Sequence, residues 1–64
     1  MDLATAVAAR RKELHLTQLD AAELSGVSER FVRAVEAGKA SVQLDKLVCL
    51  LDALGLALAV ELKR

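Results

Sequence analysis

Apolar residues recur along the chain at helical spacing, and small polar residues and glycines interrupt them at regular intervals. Leu3, Val7 and Leu14 fall on one helical stripe, with Ala6 and Arg10 beside it. A first helix is therefore predicted over about Leu3–Leu14. Asp2 stands at its N-cap. His15 ends it, since histidine is one of the few non-glycine residues that enter positive φ at modest strain. A second helix is predicted over Gln18–Ser25. Thr17 is its N-cap, and Asp20 at the third helical position approaches a capping box. Gly26 is the stop and Val27 the apolar plug of the turn. The third helix runs over Glu29–Ala37, with Ser28 as N-cap and Gly38 just past its end. Val32 and Val35 lie three apart and face inward together. The fourth runs from about Gln43 to Leu54 and stops at Gly55. Leu44, Leu47, Val48 and Leu51 are its expected buried stripe, with Leu54 at the end.

After Gly55 the period changes. Leu56, Leu58, Val60 and Leu62 alternate with Ala57, Ala59, Glu61 and Lys63, which is a strand pattern. A lone strand in a helical chain leaves its backbone donors and acceptors unpaired. The same segment of a second copy is the simplest partner, giving a two-stranded antiparallel lid across a two-fold axis. Against this stands a simpler reading, in which Gly55 interrupts the fourth helix or the tail frays. The fold class expected is thus all-α. Four to five short helices surround a central helix-turn-helix, with a short C-terminal strand over residues 56–62 paired between protomers.

The second and third segments meet the demands of a helix-turn-helix. Two helices crossing steeply over a short turn need a small residue at the crossing, and Ala22 fills that place. Gly26 allows the turn four residues later. Val27, Val32 and Val35 fill the wedge between the helices. A plain helical hairpin would also accept two short helices and a glycine turn. The spacing of Gln18, Ala22, Gly26, Val32 and Val35 together favours the crossed motif.

Composition adjusts this picture in three ways. The 64 residues make one domain, with 55% hydrophobic and 2% aromatic residues. A domain this small is marginal alone, and a disulfide, a metal or oligomerisation usually helps. Cys49 is the only cysteine, so a disulfide within the chain is excluded, and with His15 it makes up the whole set of soft ligands. No metal or cofactor is therefore expected, and oligomerisation remains. Cys49, beside the fourth helix's stripe, reads as a small buried hydrophobe rather than a reactive thiol. The chain starts without a basic signal-peptide region, and no apolar stretch reaches the ~20 residues that span a bilayer. A lone cysteine fits a reducing cytoplasm, where the chain is expected. No glycine-rich phosphate loop, metal cluster or nucleophile–base pairing suggests an enzyme.

Charge is less helpful. Nine Lys+Arg balance nine Asp+Glu, whereas nucleic-acid-binding domains are usually basic. What counts is placement. Arg10, Arg11, Lys12, Arg30, Arg33 and Lys39 could share one face, or could simply belong to a solvated mixed surface.

Three stretches resemble the Cro/phage-repressor type of helix-turn-helix. They are Leu16-Thr17-Gln18, Ala22-Glu23-Leu24-Ser25-Gly26-Val27-Ser28 and Val35-Glu36-Ala37-Gly38-Lys39. The resemblance covers about residues 3 to 55. The continuation Ser41-Val42-Gln43-Leu44-Asp45-Lys46-Leu47 and Leu51-Asp52-Ala53-Leu54-Gly55-Leu56, with a strand after the last helix, looks like the HipB-type antitoxins. That branch implies a dimeric repressor that pairs with a HipA-like kinase toxin. The chain departs from the family at Ala21, where a large aliphatic is usual, and at Leu19, where a polar residue is usual. Leu19 therefore either rotates inward or lies exposed.

The resemblance implies which residues meet DNA. The N-terminal part of the recognition helix lies in the major groove, which points to Ser28, Glu29, Arg30 and Arg33. Arg30 can bond guanine O6 and N7, and Glu29 can accept from cytosine N4. Arg33 either reads a base or holds a phosphate. Ala34 offers only a methyl contact. Phe31 either touches a sugar or thymine methyl, or is partly buried against a neighbouring helix. Gln18 opens the second helix, where a phosphate is favoured, or caps its own helix. Thr17, Lys39 and Ser41 are further phosphate candidates. Arg11 and Glu36 are expected to pair and orient the third helix, a structural role shared with Ala22, Gly26, Val32 and Val35. The expected partners are double-stranded DNA with a palindromic operator and a second copy of the chain through Leu56, Leu58, Val60 and Leu62. The alternatives are a stand-alone repressor without a toxin, and a protein-interaction module that has lost DNA binding.

Overall fold

The computed structural model describes residues 2–59, and among these there are four helices: α1 (Leu3–Glu13), α2 (Gln18–Ser25), α3 (Glu29–Glu36) and α4 (Leu44–Ala53). The boundaries follow from local chemistry. Asp2 Oδ1 accepts from the Thr5 amide at 2.7 Å, and Ser28 Oγ accepts from the Phe31 amide at 3.0 Å. Thr17 and Asp20 form a complete capping box. The Asp20 amide donates to Thr17 Oγ1 at 3.0 Å, and the Thr17 amide donates to Asp20 Oδ2 at 2.9 Å. Each bond satisfies an amide that the first helical turn leaves without a partner. Gln43, at the start of α4, makes no such side-chain bond.

The helix ends share one device. After α1, the His15 amide reaches the Lys12 carbonyl and the Leu16 amide reaches Arg11. The same double closure follows α3 at Gly38 and Lys39, and α4 at Gly55 and Leu56. This turn places one residue in the left-handed region. Glycine takes that place after α3 and α4, and His15 takes it after α1 with φ 58°. Gly26, at φ 76°, reverses the chain between α2 and α3, and a Cβ there would be strained by that φ alone.

The core is drawn from all four helices. Val7 of α1, Ala21 and Ala22 of α2, Val32 and Val35 of α3, and Leu47, Leu50, Leu51 and Leu54 around α4 are buried. Leu16, Val27, Phe31, Val42 and Leu56 pack at its edge. α2 packs on both α3 and α4, and α1 packs on α3. Two alanines on α2 let its neighbours come close, so the small residues sit where the helices crowd most.

The expected burial on α1 and α4 needs correction. The buried stripe of α4 is Leu47, Leu50, Leu51 and Leu54, whereas Leu44 and Val48 are exposed. Both sets fit a helical period, and the inward one is chosen by where α2 lies. Cys49 is exposed and not a core residue. On α1 only Val7 is buried, and Leu3 and Leu14 lie at the surface. Leu19 is exposed while Ala21 is fully buried, so α2 keeps its register with a smaller side chain in the core. Residues 56–59 have no regular secondary structure; Leu56 is half-buried and Leu58 exposed. Val60 and Leu62, the rest of the expected strand, lie outside the described residues. No helix among the described residues is long and apolar enough to cross a membrane.

Candidate nucleic-acid interface

The expected site residues fall into three groups. The first lies at the C-terminal end of α3 and is partly buried. Arg11 Nε donates to Glu36 Oε2 at 2.7 Å and Arg11 Nη2 donates to Glu36 Oε1 at 2.9 Å. Arg11 Nη1 donates to the Leu16 carbonyl at 2.9 Å, so each of the three guanidinium nitrogens makes a hydrogen bond. Gln18 Nε2 adds a third donor to Glu36 Oε1 at 3.2 Å. This ties α1, α2 and α3 together at one point. The Arg11 guanidinium holds the Glu36 carboxyl below the ordinary glutamate value, with Gln18 assisting, while burial opposes. Glu36 in turn raises Arg11 further. The Gln18 side-chain amide is thus part of this network and does not cap its own helix.

The second group is on the exposed face of α3. Arg33 Nη2 lies 3.2 Å from Glu29 Oε2, one helical turn away. Ser28 is exposed, and its hydroxyl is engaged as the cap of α3. Arg30 is exposed on the neighbouring face and has no ion-pair partner among the described residues. The helix is held from behind by Val32 and Val35, so its outer face is presented on a rigid support.

The third group is a groove beside α3. It is an open depression of about 230 Å³ running from Arg30 past Lys39 and Ser41 to Gln43 and Lys46, with Phe31 and Val42 in its floor. Phe31 belongs to the core edge as well, so it is both partly buried and a groove wall. No carboxylate lines this groove. Among the described residues Arg30, Lys39 and Lys46 have no ion-pair partner, whereas Arg10, Arg11 and Arg33 each have one. A chain of zero net charge thus gathers on one side three cations that have no ion-pair partner among the described residues. The groove also meets the start of α4, whose first amides lack a side-chain cap.

Sequence reasoning missed Lys46. Its charge was visible, but only the packing of α4 on α2 brings the start of α4 to the groove that Arg30 and Lys39 line. Arg10 also has a use that its charge did not reveal. Its Nε donates to the Leu54 carbonyl at 2.9 Å and so fastens α1 to the end of α4. Thr17 is exposed, with its hydroxyl engaged in the capping box.

Comparison with curated proteins returns no match. Residues 7–60 match the family model described as Helix-turn-helix, which is most of the chain. With Ala22 at the crossing and Gly26 in the turn, the chain belongs to the Cro/phage-repressor type of helix-turn-helix family, whose members are DNA-binding regulators.

Proposed function

We propose that the chain is a sequence-specific repressor that binds a palindromic operator as a homodimer. In this reading α3 enters the major groove. Ser28, Glu29 and Arg30 face the base edges, where the N-terminal part of a recognition helix meets DNA, and Arg33 lies one turn further along the same surface. The groove of unpaired cations beside α3 is the observation that carries the reading. Phosphates favour such a groove, and contacts to them set register and affinity rather than sequence preference. Lys39 and Lys46 would make them, with Thr17 and Gln18 at the start of α2 as further contacts. Gln18 would meet a phosphate through its backbone amide, since its side chain is held by Glu36. The dimer forms through the C-terminal segment that carries Leu56, Leu58, Val60 and Leu62.

The likeness to HipB-type antitoxins supports a second role, in which the dimer binds a HipA-like kinase toxin and represses their shared operon. A kinase of that type encoded beside this chain should bind it directly; one that does not bind leaves the simple repressor.

Selection of binding sites from random duplexes tests the central reading. It should return an inverted repeat with half-sites about 34 Å apart, one turn of DNA. Arg30→Ala should then cost about 1–3 kcal/mol and relax preference at one base pair. A selection that enriches no inverted repeat would overturn the dimeric repressor.

A further inference from the structure

We infer that Arg33 touches neither a base nor a phosphate, but positions Glu29 to read a cytosine. This inference rests on the proposed entry of α3 into the major groove.

The exposed surface of α3 carries three charges, at Glu29, Arg30 and Arg33, and they are not equivalent. Arg33 Nη2 is 3.2 Å from Glu29 Oε2, an ion pair spanning one helical turn. Arg30 has no carboxylate partner among the described residues. Two arginines on one short helix are therefore in different states before any DNA arrives. Arg30 is available to a guanine, and Arg33 is already paired with Glu29.

Glu29 is the unusual member of this surface. A carboxylate entering the major groove approaches a polyanion and loses water. An ionised group that is desolvated without a partner is strongly disfavoured. Arg33 removes that obstacle, because the pair enters the groove with no net charge. It also leaves a specific acceptor. Oε2 faces Arg33, and no donor among the described residues is bonded to Oε1. Oε1 can then accept from the N4 amino group of cytosine, the one base-edge donor of a C·G pair in that groove. If Arg33 turned to a phosphate instead, Glu29 would be left facing the phosphates uncompensated. Arg33 is thus a positioning residue, and the reading atom is on Glu29.

The two roles for Arg33 predict different data. A cation that neutralises one phosphate contributes about 0.9 to the slope of log K against log salt. A cation already neutralised by Glu29 contributes none. The experiment measures binding of the wild type, Glu29→Gln, Arg33→Ala, Arg33→Lys and the double variant Glu29→Gln with Arg33→Ala to the selected operator. The same variants are measured on duplexes altered one base pair at a time, at three salt concentrations. Arg30→Ala is the internal control, and circular dichroism confirms that each variant is folded.

Glu29→Gln and Arg33→Ala should lose preference at the same C·G pair, each by about tenfold, the size of a modest base contact. Glu29→Gln combined with Arg33→Ala removes both charges of the pair and should keep the wild-type salt slope, and Arg33→Lys should recover part of the preference. Arg30→Ala should change a different pair. A salt slope lower by about 0.9 for that double variant, with base preferences unchanged in Arg33→Ala, would make Arg33 a phosphate ligand and overturn the inference. Loss of preference at a pair that Glu29→Gln does not affect would overturn it equally. If the wild type discriminates among no duplexes, the repressor reading fails as well, and the two failures are distinguished by that one control.

Discussion

Helix α3 carries a glutamate–arginine pair at each end, and the two differ in every respect that sets their energy. At the C-terminal end, Glu36 receives two bonds from Arg11 and one from Gln18, with side chains only 9% and 12% exposed for Glu36 and Arg11. At the N-terminal end, Glu29 meets Arg33 through one contact of 3.2 Å, with side chains 36% and 63% exposed. The first joins three successive helices. The second joins two turns of one helix. The same chemical pair thus fixes where the helix lies at one end and stands on a solvent-facing surface at the other. A recognition helix needs both conditions: a fixed seat, and an outer surface whose acceptors remain open to DNA.

The largest expected effect tests the seat. Glu36→Ala leaves the Arg11 guanidinium partly buried with only the Leu16 carbonyl for company. Removing one member of a buried pair costs about 3–5 kcal/mol. A domain of this size rarely has more than about 3–5 kcal/mol in total. The variant should therefore be largely unfolded at room temperature, as read by circular dichroism and urea titration. A variant with near wild-type stability would show that the two ends of α3 are energetically alike, and the contrast would fail.

Much of this geometry was legible in the sequence, for an identifiable reason. Caps and stops are local, and Asp2, Thr17, Ser28, His15 and Gly26 act within three or four residues of themselves. Boundaries shifted by one residue where a cap such as Gln43 or Leu54 had been counted as helix. What local pattern could not decide was which of two overlapping stripes on α4 faces inward. Leu44 and Leu50 belong to different stripes, both helical in period, and only the position of α2 selects Leu50. The Gln18 amide on Glu36 and the Arg10 bond to the Leu54 carbonyl were hidden for the same cause. They join residues 18 and 44 positions apart in sequence. The Arg11–Glu36 pair was anticipated through family resemblance and not from spacing, since nothing local relates two residues 25 apart.

A gentler perturbation comes from pH. Arg11 lowers the Glu36 carboxyl below its ordinary value, so the folded state favours the ionised form. A group with a depressed folded pKa contributes stability that is complete above its unfolded value. That stability is lost as pH falls through the folded value. Thr5 and Thr17 lower Asp2 and Asp20 in the same direction through their amides. The wild type should therefore lose stability progressively once pH falls below the ordinary carboxylate range. The loss should be smaller than that of Glu36→Ala, because protonation keeps the side chain in place. Glu36→Gln isolates the contribution of the seat. Its stability deficit relative to the wild type should shrink as pH falls. A deficit independent of pH would mean that the charge of Glu36 adds nothing beyond its hydrogen bonds.

The smallest effect on stability is expected at the other end of α3. Glu29 precedes Arg33 by four residues, the favourable order for a pair on a helix, and such pairs contribute about 0.3–0.5 kcal/mol. The exposure of Arg33 and screening by salt reduce even this. Arg33→Ala should therefore shift the urea midpoint by an amount close to experimental error, while Glu36→Ala abolishes folding. The interest of so small a number lies in what it permits. A pair that held the fold together could not be altered without disturbing the helix that carries it. A pair that is nearly neutral for the fold can be set by what it meets across the groove. If Arg33→Ala instead cost as much stability as a buried pair, the outer face of α3 would be a structural element like the inner one. Its charges could then no longer be assigned to recognition.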